Sequence, residues 1–183
     1  MRVEHTLLIV LALLSAGCSP TYNWREVRPA DVGVAVMLPG KPASLTRRIQ
    51  LADQERVMSM TGAQAADIAF TVACAVLPDA QPGPREQTLA AMRAGMVRNI
   101  AGAEERAEPV SVALTDARGA ALGRVEGVRL SANGTAQGRR VRLQAIFVAE
   151  GARACQAVAV GEGLPDEEAR TFLDSLRLIA PAA

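Results

Sequence analysis

Apolar side chains in this chain recur at every second residue through most of its length, and at every third or fourth residue in two places. Val32, Val34, Val36 and Leu38 alternate with small residues and Met37 before Pro39-Gly40 ends the run. Period-two patterning gives a strand an apolar face, so a chain built this way has to bury that face in a sheet. Residues 45–51 and 55–61 predict two further strands around Ala52-Asp53-Gln54, and residues 67–77 predict a long one stopped by Pro78. Beyond Pro109 the alternation returns over residues 110–114, 122–130, 139–149 and 152–160. This reads as a meander with turns at Asn133-Gly134, Gln137-Gly138 and Glu150-Gly151.

Two stripes depart from that pattern. Leu89, Met92, Met96 and Ile100 follow the Pro/Gly loop 78–84 at helical spacing, with Pro84 at the expected start and Gly102 at the expected stop. The methionines on this stripe read as core filler. The second stripe begins at Pro165. Asp166, Glu167 and Glu168 suit the positive end of a helix, and Ala169, Phe172, Leu173 and Leu176 form its apolar side. The order strands, helix, strands, helix predicts an α+β fold, a largely antiparallel sheet flanked by helices.

The first residues carry a different signal. Arg2, an apolar segment over residues 7–14 and the small residues Ser15, Ala16 and Gly17 describe a secretory signal peptide. The apolar segment is too short to span a bilayer, which takes ~20 residues. Leu14-Ser15-Ala16-Gly17-Cys18 resembles the lipobox of bacterial lipoproteins. That resemblance implies a thiol of Cys18 alkylated by a diacylglycerol and a cut just before it. Two or more acyl chains hold a protein firmly to a membrane, where one does not. Ser19 rather than Asp follows the cysteine, which by the same resemblance favours the outer membrane, facing the periplasm. The expected organisation is a signal peptide over 1–17, a lipidated N-terminus and short tether over 18–21, and a single α+β domain over 22–180.

What the expected mature chain lacks narrows its chemistry. His5 is the one histidine, and it leaves with the signal. Ser-His-Asp and Cys-His catalysis and histidine metal ligation go with it, so no metal and no cofactor are expected. Lys41, the sole lysine, sits in the turn Pro39-Gly40-Lys41-Pro42. A formal net charge of +1 and 3% aromatic residues offer neither the field nor the stacking faces for nucleic acid. Tyr22 and Trp24 are the one Tyr and the one Trp. They could line a pocket, but packing the start of the domain onto the core is the commoner use.

Cys74 and Cys155 remain as a pair in an oxidising compartment. Cys74 shares parity with Ile68, Phe70, Val72 and Val76, and Cys155 with Ala157 and Ala159. They are a candidate disulfide, the alternative being two buried thiols packed as small hydrophobes. Arg124, Arg129, Arg139, Arg140, Arg142 and Arg153 cluster in the meander. Converging on a cleft they would clamp a carboxylate or phosphate; spread along a solvated strand face they would discourage edge aggregation.

Three islands together resemble a known family. They are Tyr22-Asn23-Trp24 leading into residues 32–42, the meander ending Cys155-Gln156-Ala157-Val158, and Phe172-Leu173-Asp174-Ser175-Leu176-Arg177-Leu178. The pattern is similar to the PsbP/Mog-like α/β proteins, including small bacterial lipoproteins of the DcrB and LpqN type. Val34 and Leu176 stand where that pattern often has Phe. The resemblance implies an α/β/α sandwich around an antiparallel sheet and a role in binding or assembly, with no catalytic residues to carry over.

The expectation is therefore a non-catalytic, membrane-anchored envelope lipoprotein that binds or helps assemble an envelope protein partner. The alternative is a periplasmic small-ligand carrier with a pocket between sheet and helix, lined by the arginines. Catalysis by Asp166 with Glu167 or Glu168 is the third option, and those carboxylates are better explained as helix N-terminal charges.

Overall fold

A computed structural model describes residues 20–181. The signal peptide and Cys18 lie outside the described residues. Ten strands form one sheet: β1 Arg25–Val27, β2 Val34–Leu38, β3 Ala43–Leu51, β4 Gln54–Ala65, β5 Ile68–Val76, β6 Ala103–Thr115, β7 Ala121–Ala136, β8 Arg139–Glu150, β9 Arg153–Gly161 and β10 Arg177–Ile179. Two helices accompany them, α1 Pro82–Asn99 and α2 Asp166–Leu173.

The strands lie in the order β1-β2-β10-β6-β7-β8-β9-β5-β4-β3. This corrects the expected antiparallel sheet in an α/β/α sandwich. The sheet is mixed and curls into a half-barrel, and the described residues form only two helices. The parallel pair is β10 with β6, Arg177 opposite Ala113. Its cause is local. The chain leaving α2 returns as a three-residue strand that slots between β2 and β6, and is too short to show any periodicity of its own.

Each face of the sheet has its own core, set by residue parity. On β5, Ile68, Phe70, Val72 and Cys74 face α2, while Ala73 and Ala75 face α1. On β8, Ile146 and Val148 face α2, while Leu143, Ala145 and Phe147 face α1. The α2 side is sealed by aromatic edges. Tyr22 stacks on Trp24 at 5.9 Å between ring centroids, Trp24 meets Phe70 edge-on at 5.5 Å, and Phe70 meets Phe172 at 5.5 Å. Trp24 thus packs the start of the domain onto this core. Burial, and then the Glu168 carboxylate, push the Tyr22 phenol above its ordinary pKa. Ser175 Oγ accepts from the Met37 amide and donates to the Phe172 carbonyl, fastening the end of α2 to β2.

Several predicted boundaries move. The helix expected from Pro84 begins at Pro82. Asn133-Gly134 is not a turn but lies inside β7. Gly134 is required there because a Cβ would stand 2.2 Å from the Ile100 carbonyl oxygen, where the end of α1 docks on the strand. The reversal falls at Gln137-Gly138, both at positive φ. The strand expected over 110–114 runs over Ala103–Thr115 and includes Pro109. Proline is tolerated because β10 pairs with β6 only over residues 113–115, so Pro109 has β7 alone beside it.

Candidate functional site

Helix α1 lies mainly across β8 and β9, with lighter contact to β3, β6 and β7. Strands β5, β4 and β3 continue the sheet beyond β9, with Ala73, Ala75 and Met58 buried on this side. A groove of about 750 Å³ is walled by β3, β4, β5, β9 and α1. That volume falls within the ~300–1,000 Å³ typical of sites for small molecules.

Four of the chain's six methionines line it: Met58 and Met60 from β4, Met92 and Met96 from α1. Met58 and Met60 are two apart on a strand, and Met92 and Met96 four apart on a helix, so each pair presents both side chains on one face. Methionine is unbranched and polarizable, and it repacks around irregular apolar shapes. Ile49, Leu51, Val158 and Val160 add to the apolar lining.

Polar side chains also line it, among them Gln50, Thr71 and Asn99, and one of the polar residues is buried. Gln156 sits on the α1 face of β9 between Ala154 and Val158 and is 6% exposed. Its Nε2 reaches Met96 Sδ at 3.8 Å, a weak partner, and its Oε1 has no hydrogen-bond partner among the described residues. Leaving a buried amide oxygen unpaired costs about 1–3 kcal/mol. Exchanging the two ends of the amide would leave both without a partner, because a thioether sulfur cannot donate. A hydroxyl, which donates and accepts, would satisfy either end.

The opposite face holds the cysteines. Cys74 and Cys155 are directly opposite in the β5–β9 ladder, with Cα atoms 4.0 Å apart and the Sγ atoms bonded. The bond lies within the core that includes Phe70 and Phe172.

The six meander arginines do not share one cleft. Arg129 and Arg142 meet Arg106 and Arg170 around a depression of about 210 Å³ beside α2. Acids accompany three of the four: Arg142 pairs with Asp166 at 2.8 Å, Arg106 with Glu108 at 2.7 Å, and Arg129 with Asp174. Arg124 donates to Ser111 Oγ at 2.8 Å. Arg139 stands 3.9 Å from both Asp67 and Glu162, and Arg140 is exposed. Arg153 is a strut. It donates to the Gly33 carbonyl at 2.8 Å and the Ile179 carbonyl at 2.7 Å, tying β9 to the far side of the curl. Gly33, at positive φ, makes room for it, since a Cβ there would stand 2.0 Å from Arg153 Nη1. Burial draws the Arg153 guanidinium below its ordinary pKa, against the opposing pull of Glu150. Asp166 is occupied by Arg142 and Gln144.

Sequence reasoning passed over the groove. Its signal was present in Gln156, a polar residue at an inward position of a strand whose residues 154–160 are otherwise Ala, Val and Cys. Met92 is core, as the helical stripe implies, and Met96 packs half-buried against it; that Met58 and Met60 line the same groove from β4 was not read. Among the described residues, no group of three His, Cys, Asp or Glu could hold a metal ion, and no helix is long and apolar enough to cross a membrane.

No family model and no curated protein matches the chain. It is similar to a solved structure from Pseudomonas aeruginosa, of a protein of unknown function, at 12% identity. That match covers 87% of this chain and 98% of the other, with a TM-score of 0.38. At that score it carries no argument.

Proposed function

We propose that this chain is a lipid-anchored, non-catalytic binding protein of the bacterial envelope, and that the groove under α1 holds an amphipathic small molecule. The observation that carries the reading is Gln156. An unpaired amide nine-tenths buried in a Met-lined groove is costly for folding alone, and it is complementary to a ligand with an apolar body and a hydroxyl or carbonyl. The anchor rests on the lipobox-like Leu14-Ser15-Ala16-Gly17-Cys18, and the absence of catalysis on the single, N-terminal histidine.

Gln156→Met tests the reading, because methionine keeps the volume and removes the orphan. The variant gains about 1 kcal/mol of stability. It also binds 1-monododecanoylglycerol several-fold more weakly in calorimetric titration. Unchanged binding, or no binding by the parent protein, overturns the proposal. Intact mass of the membrane-extracted protein, against a Cys18→Ser control, tests the anchor; a mass without acyl chains refutes it.

A further inference from the structure

The groove's two walls carry guanidinium groups at its rim. Arg47 is on β3 and Arg98 is in the last turn of α1; both are exposed and both line the groove. Neither has a carboxylate partner within ion-pair distance among the described residues, whereas their neighbours Arg48 and Arg93 are paired with Glu55 and Glu104. The Arg98 side chain reaches back beside Gly95, another residue of the groove wall. Asp53, in the β3–β4 turn, is the one acid of the lining, so the rim keeps an excess of positive charge.

Each arginine has an ordinary explanation. A cation in a helix's last turn complements the dipole, and a cation on an edge strand deters pairing with other chains. Neither explanation places the two on facing walls of one apolar groove with carboxylate partners withheld.

Resting on the groove reading above, we infer that the groove selects an anionic single-chain amphiphile. Its acyl chain lies among Met58, Met60, Met92 and Met96, a polar group near the chain meets Gln156, and its carboxylate or phosphate head is held between Arg47 and Arg98. Guanidinium binds either head through paired N–H donors.

The test compares four amphiphiles with the same twelve-carbon tail, below their micelle concentrations, on the full chain carrying Cys18→Ser to remove its own acyl chains. These are dodecanoate, dodecyl phosphate, 1-monododecanoylglycerol and dodecyltrimethylammonium. The expected result is that both anions bind roughly tenfold more tightly than the neutral glyceride, with the cation weakest. Tighter dodecanoate indicates a free fatty acid as the source, and tighter dodecyl phosphate a phospholipid-derived one. Arg47→Gln with Arg98→Gln brings the anions down to the affinity of the glyceride and leaves the glyceride itself unchanged. Equal binding of all heads, or preference for the cation, overturns the charge selection while leaving the groove as a site. Failure of every dodecyl compound overturns the groove reading itself.

Discussion

The two faces of this sheet are built from the same strands and do different things. The α2 face is closed: Phe172, Phe70, Cys74 and Cys155 are each 5% exposed or less, and the aromatic edges leave no polar atom stranded among them. The α1 face is open along one side, lined by flexible methionines, and it strands an amide. Alternation along a strand makes the contrast: residues 154 and 156 belong to one face and 155 and 157 to the other. Rigid packing is concentrated on the closed face, and adaptable packing on the face where we propose a ligand fits. A site of this kind is held precisely because the supporting face does not yield.

If the contrast is right, the faces respond unequally to damage. Phe172→Ala, in the closed core, costs about 3–5 kcal/mol in urea unfolding; Met96→Ala on the open side, half-buried, costs well under half as much. Equal losses would erase the distinction. Next in size is the cross-strand bond. Cys74→Ala with Cys155→Ala removes a link between residues 81 apart and lowers stability by about 2–4 kcal/mol, read in the same assay with and without reductant on the parent. The gain from Gln156→Met, about 1 kcal/mol, has the opposite sign and marks the face proposed for binding.

The smallest effect lies at the other edge of the sheet. Hydrogen bonds from Arg28 and then Arg177 hold the Glu26 carboxyl below its ordinary pKa. Its folded value is depressed, so its contribution is present above the ordinary glutamate range and fades as pH falls through the lowered folded value. Glu26→Gln removes that part of the acid dependence. The group is largely solvated, so the change is smaller than any of those above. A pH profile of the melting temperature checks it; an identical profile in the variant rules the contribution out.

Much of the strand pattern could be read from parity, because a half-buried strand has to show it. The apolar face read on β5 matches the core at Ile68, Phe70, Val72 and Cys74, though Val76 at its end is exposed. The mixed pairing was hidden for a physical reason: it rests on β10, three residues too few to show a periodicity of their own. The Asn133-Gly134 turn was misplaced because Gly134 serves a close approach rather than a reversal. The groove escaped notice although the apolar stripe on α1 was legible. Its coverage of the sheet is a tertiary matter, and no periodicity in one element reports a gap beneath another.

The most direct measurement uses the methionines themselves. Residues 20–181 contain five, of which Met58, Met60, Met92 and Met96 line the groove and Met37 lies on β2. In a methyl-labelled sample titrated with 1-monododecanoylglycerol, the account predicts saturable shifts of the four groove methyls while Met37 stays still. Four unmoved groove methyls, or five that move together, would contradict it.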